Sequence, residues 1–212
     1  MNNTGTLYLI PVTLGETPIN QVIPEHNFQV INEIDTYIVE NIKTARRFLK
    51  RSDIAIPITD LTFYELNKRT KLEDLASFLK PLLNGKSVGV LSEAGCPGVA
   101  DPGADIVELA HQRNIKVVPL IGPSSILLSL MASGFNGQSF CFNGYLPKDQ
   151  KQRVGKLKEL ERRVFSQKQT QLFIETPFRN NNLLEDVLKH CSDNTRLCIA
   201  VDITLPNEQI QT

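Results

Sequence analysis

Short apolar runs alternate with amphipathic stretches over most of this 212-residue chain. Apolar runs bounded by turn residues are typical of buried strands, and apolar residues at helical spacing are typical of helices that cover a sheet. Strands are predicted at residues 6–11, 28–31, 36–40, 54–58, 87–91, 115–120, 139–142, 171–175, 195–201 and 209–212. Helices are predicted at residues 41–51, 72–82, 101–112, 124–133, 150–168 and 180–190.

This alternation predicts an α/β fold in two lobes. The Gly122-Pro123 turn separates two sets of elements, so we expect an N-terminal lobe over residues 1–121 and a C-terminal lobe over residues 122–212. Strands joined through helices favour a mostly parallel sheet in the first lobe, and we expect a mixed sheet in the second. A ligand is expected in the cleft between the lobes.

Composition and charge exclude several classes of function. The chain has 23 basic and 23 acidic residues, so no overall charge attracts it to nucleic acid or membrane. Its four cysteines and three histidines lack the spacing of metal ligands, and no apolar run reaches the roughly 18 residues that a membrane helix needs. We therefore expect a cytoplasmic protein with reduced thiols, without a metal or a membrane span.

The loop after the predicted strand 87–91 carries the strongest chemical signal. Residues 92–103 contain three glycines, two prolines, one serine and two carboxylates, and the predicted helix then begins at Asp101 with Pro102 in its first turn. Loops that leave the carboxyl ends of strands in open α/β sheets bind ligands. An ordinary strand-to-helix turn, with Asp101 as the N-cap, is the alternative.

Four short motifs occur in a fixed order along the chain. They are Ser92-Glu93-Ala94-Gly95-Cys96-Pro97 followed by Asp101-Pro102-Gly103, then Gly122-Pro123-Ser124-Ser125, then Gly144-Tyr145-Leu146-Pro147-Lys148, then Glu175-Thr176-Pro177-Phe178-Arg179. Through these motifs, residues 6–206 resemble the tetrapyrrole methylase superfamily of S-adenosylmethionine-dependent methyltransferases. The resemblance is closest to the branch that methylates ribose 2′-hydroxyls of small-subunit ribosomal RNA.

The resemblance implies a two-lobed fold, S-adenosylmethionine as cofactor and a homodimer. It implies that the cofactor contacts Ser92, Glu93, Ala94, Gly95, Cys96, Pro97, Gly122, Pro123, Ser124, Ser125, Thr176 and Pro177. Simple helix capping is the alternative for Ser124 and Ser125. Two carboxylates, Glu175 and Glu65, are the candidate catalytic residues, and an ion pair with Arg179 is the alternative for Glu175.

Other family motifs have changed in this chain. The family's Thr-Pro-Ile-Gly-Asn loop is Ile10-Pro11-Val12-Thr13-Leu14, and its Glu-Asp-Thr-Arg segment is Glu40-Asn41-Ile42-Lys43. Its His-Glu-His-Asn is Tyr64-Glu65-Leu66-Asn67, and its Arg-Glu-Leu-Thr-Lys is Val201-Asp202-Ile203-Thr204-Leu205. These losses concentrate on the motifs that we assign to the substrate, which indicates a changed acceptor.

A basic segment supports RNA as the acceptor. Residues 148–168 hold eight Lys or Arg against three acids, and a basic helix suits an RNA backbone. The predicted RNA-binding residues are Lys151, Arg153, Lys156, Arg162 and Arg163, and a solvated helix face is the alternative. Phe142, Tyr145 and Phe165 are candidates either for base stacking or for the core.

The sequence thus predicts a methyltransferase that uses S-adenosylmethionine and acts on a ribose 2′-hydroxyl of ribosomal RNA. Its partner would be ribosomal RNA or the small ribosomal subunit. Two alternatives remain open. One is a methyltransferase for a tetrapyrrole or another small molecule, and the other is a non-catalytic cofactor-binding protein with degenerate substrate motifs.

Overall fold

A computed structural model describes residues 4–66, 70 and 72–212, so Asn67 of the changed His-Glu-His-Asn segment lies outside the described residues. The chain forms two compact units. The first extends to Ser124 and also includes Thr204–Pro206, and the second comprises Ser125–Ile203 and Asn207–Thr212.

The first unit is built on a five-stranded sheet in which every strand pair is parallel. Its strands are β1 (Thr6–Ile10), β2 (Thr36–Val39), β3 (Thr62–Glu65), β4 (Val88–Leu91) and β5 (Lys116–Pro119), in the spatial order β3-β2-β4-β1-β5. The central strands β2 and β4 are buried along their whole length, as expected for a sheet covered on both faces.

Helices cover both faces of this sheet. They are α1 (Glu25–Asn32), α2 (Ile42–Arg51), α3 (Leu72–Phe78), α4 (Lys80–Leu83) and α5 (Gly103–Gln112). Side chains of β1 alternate between the two faces: Leu7 packs in one core cluster with Ile106 of α5, and Ile10 packs in the other with Ile31 of α1 and Leu49 of α2.

The strand order creates a switch point between β1 and β4. Strand β1 connects through α1 to β2 on one side, whereas β4 connects through α5 to β5 on the other side. Because parallel crossovers are right-handed, the connections after β1 and β4 run to opposite faces of the sheet, with α1 on one face and α5 on the other. In open α/β sheets ligands bind outside the carboxyl ends of the strands at such a point.

Three predicted elements of the first unit were wrong. Residues 28–31 belong to helix α1, where Val30 and Ile31 are buried, because a short apolar run fits a helix as well as a strand. Residues 54–58 alternate like a strand, but Pro57 begins a 3₁₀ turn at Ile58–Asp60 and the strand follows at β3. The single helix predicted at 72–82 is two helices, with Pro81 at the start of the second.

The second unit contains two pairs of strands and three helices. Strands β6 (Phe140–Tyr145) and β7 (Thr170–Ile174) pair in parallel, and β8 (Ile199–Val201) and β9 (Gln209–Gln211) pair antiparallel. Strand directions are therefore mixed, but the strands form two separate sheets rather than one. The helices are α6 (Ser125–Ser133), α7 (Gln150–Gln167) and α8 (Asn180–His190).

The core of the second unit lies between α7 and α8, where Leu157, Leu160 and Leu183 pack with Leu146. A cavity of about 590 Å³ lies within this unit and is lined mainly by apolar side chains. Among the helices of the described residues, none combines the length and the apolar character needed to cross a membrane.

Candidate functional site

Gly95 joins three loops at the carboxyl edge of the five-stranded sheet. The Gly95 carbonyl accepts a hydrogen bond from the Val12 amide at 2.9 Å, which ties the loop after β4 to the loop after β1. A Cβ at Gly95 would lie 3.2 Å from Leu14 Cδ2 and 3.3 Å from the carbonyl oxygen of Pro123, which follows β5. Gly95 also has a φ of +74°, a conformation that glycine adopts readily. The position therefore favours glycine for two reasons, the backbone conformation and the lack of space for a Cβ.

The loop after β5 lies close to the loop after β1 and to helix α1. A Cβ at Gly122 would lie 2.2 Å from Pro11 Cβ, a distance at which the two loops would have to separate. The buried amide of Asn27 on α1 donates to the Ile121 carbonyl at 2.9 Å. The structure therefore brings the predicted residues Ser92–Pro97 together with Gly122 and Pro123.

The polar residues of the loop after β4 have distinct partners. The Ser92 hydroxyl donates to the Gly95 carbonyl at 3.1 Å, and exposed Glu93 accepts a hydrogen bond from Thr44 of α2. Asp101 Oδ1 accepts from the amides of Gly98 at 2.6 Å and Gly103 at 2.9 Å. These bonds close the turn ahead of α5, which begins at Gly103, two residues later than predicted, with Pro102 rather than Asp101 at the N-cap position.

Cys96 is a poor nucleophile in this setting. Its Sγ lies 3.4 Å from the Pro123 carbonyl oxygen. Burial, and secondarily the charge of Asp101, raises the pKa of the Cys96 thiol, so the sulfur stays protonated near neutral pH. The residue therefore contributes packing and backbone to the loop rather than a thiolate.

Glu175 forms the ion pair that the sequence left as an alternative. Its Oε2 lies 2.9 Å from the Arg179 guanidinium, and its Oε1 accepts the Thr176 amide at 2.8 Å. The Arg179 guanidinium also donates to the carbonyl of Leu146 at 2.9 Å, so the pair anchors the loop after β6. Thr176 precedes the 3₁₀ turn that starts at Pro177, and these residues belong to the second unit.

Glu65 lies elsewhere, in the first unit. It is the last residue of edge strand β3, it is exposed, and it pairs in register with Val39 of β2. At a spacing of about 4.8 Å per strand, it stands about 10 Å from β4 along the same edge of the sheet.

Arg153 was wrongly predicted as an RNA-binding residue. It is only 6% exposed, and its guanidinium pairs with buried Asp186 of α8 at 2.6 Å. It also donates to the Lys148 carbonyl at 2.8 Å. Position 153 lies on the inner face of α7 with Leu157 and Leu160, which the sequence spacing alone does not show. A buried cation at this place needs an anionic partner, and Asp186 supplies it.

The other predicted RNA-binding residues fall into two groups. Lys156 and Arg163 both pair with Glu159, at 3.0 and 2.5 Å, so their charges are partly neutralised. Lys151 and Arg162 are exposed on the outer face of the same helix. Of the candidate stacking aromatics, Tyr145 and Phe165 are more than half exposed, whereas Phe142 is half-buried.

Two contacts near the site could not be predicted from the sequence. Thr44 reaches Glu93 from a helix 49 positions earlier, and Thr17 Oγ1 donates to the Thr204 carbonyl at 2.5 Å across 187 positions. Through the second contact, residues 204–206 return to the loop after β1, where Leu205 fills the space beside Gly15. No local pattern signals a contact over such separations.

The loops fit the chemistry of S-adenosylmethionine, a methyl donor with an ammonium, a carboxylate, ribose hydroxyls and an adenine. Gly95 occupies a place where a Cβ would crowd two neighbouring loops, and Glu93 and Ala94 beside it are exposed residues. Close approach of backbone donors and acceptors suits such mixed polar groups. Within the described residues, no three His, Cys, Asp or Glu side chains cluster as a metal site.

In fold, the protein is similar to the crystal structure of the methyltransferase CobJ. The two share a TM-score of 0.63 at 18% identity, over 99% of this chain and 85% of that one, which shows the fold alone. A sequence model of the Tetrapyrrole (Corrin/Porphyrin) Methylases matches residues 29–212. The chain belongs to this family of S-adenosylmethionine-dependent methyltransferases, and the predicted α/β fold and family are confirmed.

Two relatives carry the name Ribosomal RNA small subunit methyltransferase I. The protein from Halalkalibacterium halodurans is 30% identical over 187 residues, which are 88% of this chain and 61% of the relative. The protein from Streptococcus pyogenes is 31% identical over 208 residues, which are 98% of this chain and 68% of the relative. The chain thus spans about two thirds of the length of these relatives.

Proposed function

We propose that this protein transfers a methyl group from S-adenosylmethionine to a ribose 2′-hydroxyl of small-subunit ribosomal RNA. The observation that carries the proposal is 31% identity over 98% of the chain to a relative named as a small-subunit ribosomal RNA methyltransferase. The closely tied loops around Gly95 support it, because methyl transfer needs donor and acceptor held in line rather than an elaborate set of catalytic side chains.

Within this proposal, Ser92–Pro97 and Gly122–Ser125 bind the cofactor, together with Thr176 and Pro177. The Val12–Gly95 hydrogen bond and the close approach of Leu14 and Pro123 to Gly95 would hold the binding groups in place without reorganisation on binding. A 2′-hydroxyl is a weak nucleophile, so its proton must leave during transfer.

The two candidate carboxylates receive different roles. Glu65 is exposed at the carboxyl edge of the sheet, and we keep it as the candidate for accepting the hydroxyl proton. Glu175 Oε1 accepts the Thr176 amide, while the buried Oε2 lies 2.9 Å from Arg179 without forming a hydrogen bond. Because Arg179 also donates to the Leu146 carbonyl, we assign Glu175 to positioning the loop after β6 instead of to proton transfer.

We further propose a homodimer that acts in the cytoplasm, where ribosomal subunits are its substrate. Leu127 and Met131 support association of two copies, because they stand one turn apart on α6 and are 50% and 77% exposed. A mass near twice 23.8 kDa by light scattering would support the dimer, and 23.8 kDa across micromolar concentrations would contradict it.

The test of the function uses small ribosomal subunits from cells with and without the gene for this chain. Purified protein and radiolabelled S-adenosylmethionine should label only the subunits from cells without the gene, and mass mapping should place the methyl on a ribose. Labelling of a porphyrinogen but not of RNA would instead establish the tetrapyrrole alternative. Calorimetric binding of the cofactor without any transfer would establish the non-catalytic alternative.

A further inference from the structure

Helix α2 presents a continuous basic surface. Lys43, Arg46, Arg47 and Lys50 recur at spacings of three, four and seven residues, which places them on one side of the helix. All four side chains are exposed. The residues from Ile42 to Arg51 include five cations and no acid, so nothing on the helix itself neutralises this surface.

The opposite side of α2 is fully used by the fold. Ala45, Phe48 and Leu49 are buried against the five-stranded sheet in the same core cluster as Val39. A basic helix that binds a lipid surface needs an exposed apolar face to insert. Because the apolar face of α2 is buried in the core, a membrane is not a suitable partner for its basic face.

Three of the cations are available to a ligand. Arg46 lies over the Phe63 ring at 5.3 Å, and Arg51 donates to the Thr17 carbonyl at 2.5 Å. Lys43, Arg47 and Lys50, by contrast, form neither an ion pair nor a side-chain hydrogen bond with any residue in the described ranges 4–66, 70 and 72–212. Helix α7 differs, since its Glu159 pairs with two of its cations.

The basic surface begins beside the cofactor loop. Helix α2 starts three positions after the end of β2, at the same edge of the sheet as the loop after β4. Thr44, in the first turn of α2, donates its hydroxyl to Glu93 of that loop. A polyanion bound along α2 would therefore reach the place where the predicted methyl donor sits.

We propose that Lys43, Arg47 and Lys50 of α2 bind the phosphate backbone of the acceptor RNA. This inference rests on the proposed function, and it adds the surface of the first unit that holds the substrate. Neighbouring cations on one side of a helix stand about 5–6 Å apart, which suits successive contacts to a chain of phosphates. Backbone contacts of this kind supply affinity without reading sequence.

The experiment measures binding of fluorescent single-stranded oligouridine by anisotropy at salt concentrations from about 0.05 to about 0.4 M. Over this range each phosphate contact to a single strand changes the affinity about fourfold. The test variant is the triple substitution Lys43→Gln, Arg47→Gln and Lys50→Gln. Each lost contact to a single strand reduces the slope of log affinity against log salt by about 0.7, so the triple variant should lose about 2 from its slope. At 0.1 M salt its affinity should fall at least tenfold.

A matched control removes the same charges elsewhere. Lys80, Arg113 and Lys116 are also two lysines and one arginine, exposed on the first unit but near the amino-terminal ends of β4 and β5. Their triple change to Gln should leave the slope within about 0.7 of the parent, less than one contact. Both variants should keep calorimetric binding of S-adenosylmethionine, which shows that the fold is intact.

The outcomes separate this inference from the proposed function. A parent protein that binds oligouridine with the same slope as the α2 variant would overturn the α2 site and leave the function standing. Equal losses in the two triple variants would also overturn it, since total charge would then explain the effect. A parent protein with no salt-dependent binding to oligouridine or to ribosomal subunits would overturn the RNA function itself. Preference of α2 for an acidic peptide over oligouridine would contradict the inference as well.

Discussion

The amide of Val12 donates to the carbonyl of Gly95 at 2.9 Å, joining the loops that leave two adjacent parallel strands. This contact forms although residues 10–14 have lost the glycine of the family motif. The position of that glycine is Thr13, next to Val12. A backbone hydrogen bond depends on the path of the chain rather than on the side chain, so the change at Thr13 leaves the Val12 bond possible. The changed sequence of residues 10–14 thus does not prevent the hydrogen bond that ties the two loops.

Substituting Gly95 by alanine should impair cofactor binding beyond its effect on stability. The positive φ alone costs about 1 kcal/mol with a side chain present. In addition, the new Cβ would press on Leu14 and on the Pro123 carbonyl, displacing two loops by a few tenths of an ångström. We expect at least a tenfold loss of affinity for S-adenosylmethionine by calorimetry.

Gly134 is the matched control for this substitution. Its φ is +70°, and a Cβ there meets no atom within 4 Å. Gly134→Ala should lose similar stability in urea and keep its cofactor affinity. Equal affinities in the two alanine variants would show that Gly95 is not part of the cofactor site.

Removing the charge of Asp186 should strongly destabilise the protein. Arg153 is buried against this carboxylate, and Asp186→Asn would leave a buried cation without its partner, at a cost of about 3 kcal/mol. Urea unfolding should show this loss for Asp186→Asn and no measurable loss for Asp193→Asn on an exposed turn. Replacing both partners, with Arg153→Met and Asp186→Leu, should recover much of it. A double variant no more stable than Asp186→Asn would contradict this account.

The same pair should give the protein a defined sensitivity to acid. The hydrogen bond from Gln150, and then the Arg153 guanidinium, holds the pKa of Asp186 below its ordinary value. The stability that this ionisation supplies is thus complete above about pH 4 and is lost as the pH falls further. Parent and Asp186→Asn should therefore keep a constant difference in free energy of unfolding from pH 7 to about pH 4 and converge as the pH falls further. Curves that stay parallel down to pH 2 would contradict this assignment.

The cations of α7 should differ in their effect on RNA binding. Lys151 and Arg162 are exposed, and their joint change to Gln should reduce the salt slope for single-stranded RNA by about 1.4 if both contact phosphates. Lys156 and Arg163 already share Glu159, so the same double change there should alter the slope little. If both double variants change the salt slope equally in an anisotropy titration, pairing with Glu159 does not reduce the contribution of Lys156 and Arg163 to RNA binding.

Cys96 should react slowly with alkylating reagents and more slowly still when the cofactor is bound. Burial raises the pKa of its thiol, so little thiolate is present at pH 8. Cys191 is the control, because burial also raises the pKa of its thiol but it follows α8 in the second unit. Mass spectrometry after iodoacetamide treatment should show cofactor protection at Cys96. Protection at neither cysteine, under saturating cofactor, would contradict the assignment of the loop.

Local sequence determined most elements of this protein. Asn41 caps α2 by accepting the Lys43 amide, and Gly134 ends α6 in a left-handed conformation, as their residue types predict. Helix α8 has the predicted bounds, Asn180–His190. Capping and hydrophobic periodicity act within a few residues, which is why they can be recognised without a structure. The family motifs likewise occupy short continuous segments.

Tertiary structure decided which charges are available and which loops meet. Arg153, Lys156 and Lys151 look alike in the sequence, yet one is buried with Asp186, one is paired with Glu159 and one is exposed. The sequence shows the five cations of α2 but not which side of the helix faces solvent, because only burial of the apolar side decides that. Contacts such as Val12 with Gly95 depend on strand order, and strand order arises from packing between segments far apart in the chain.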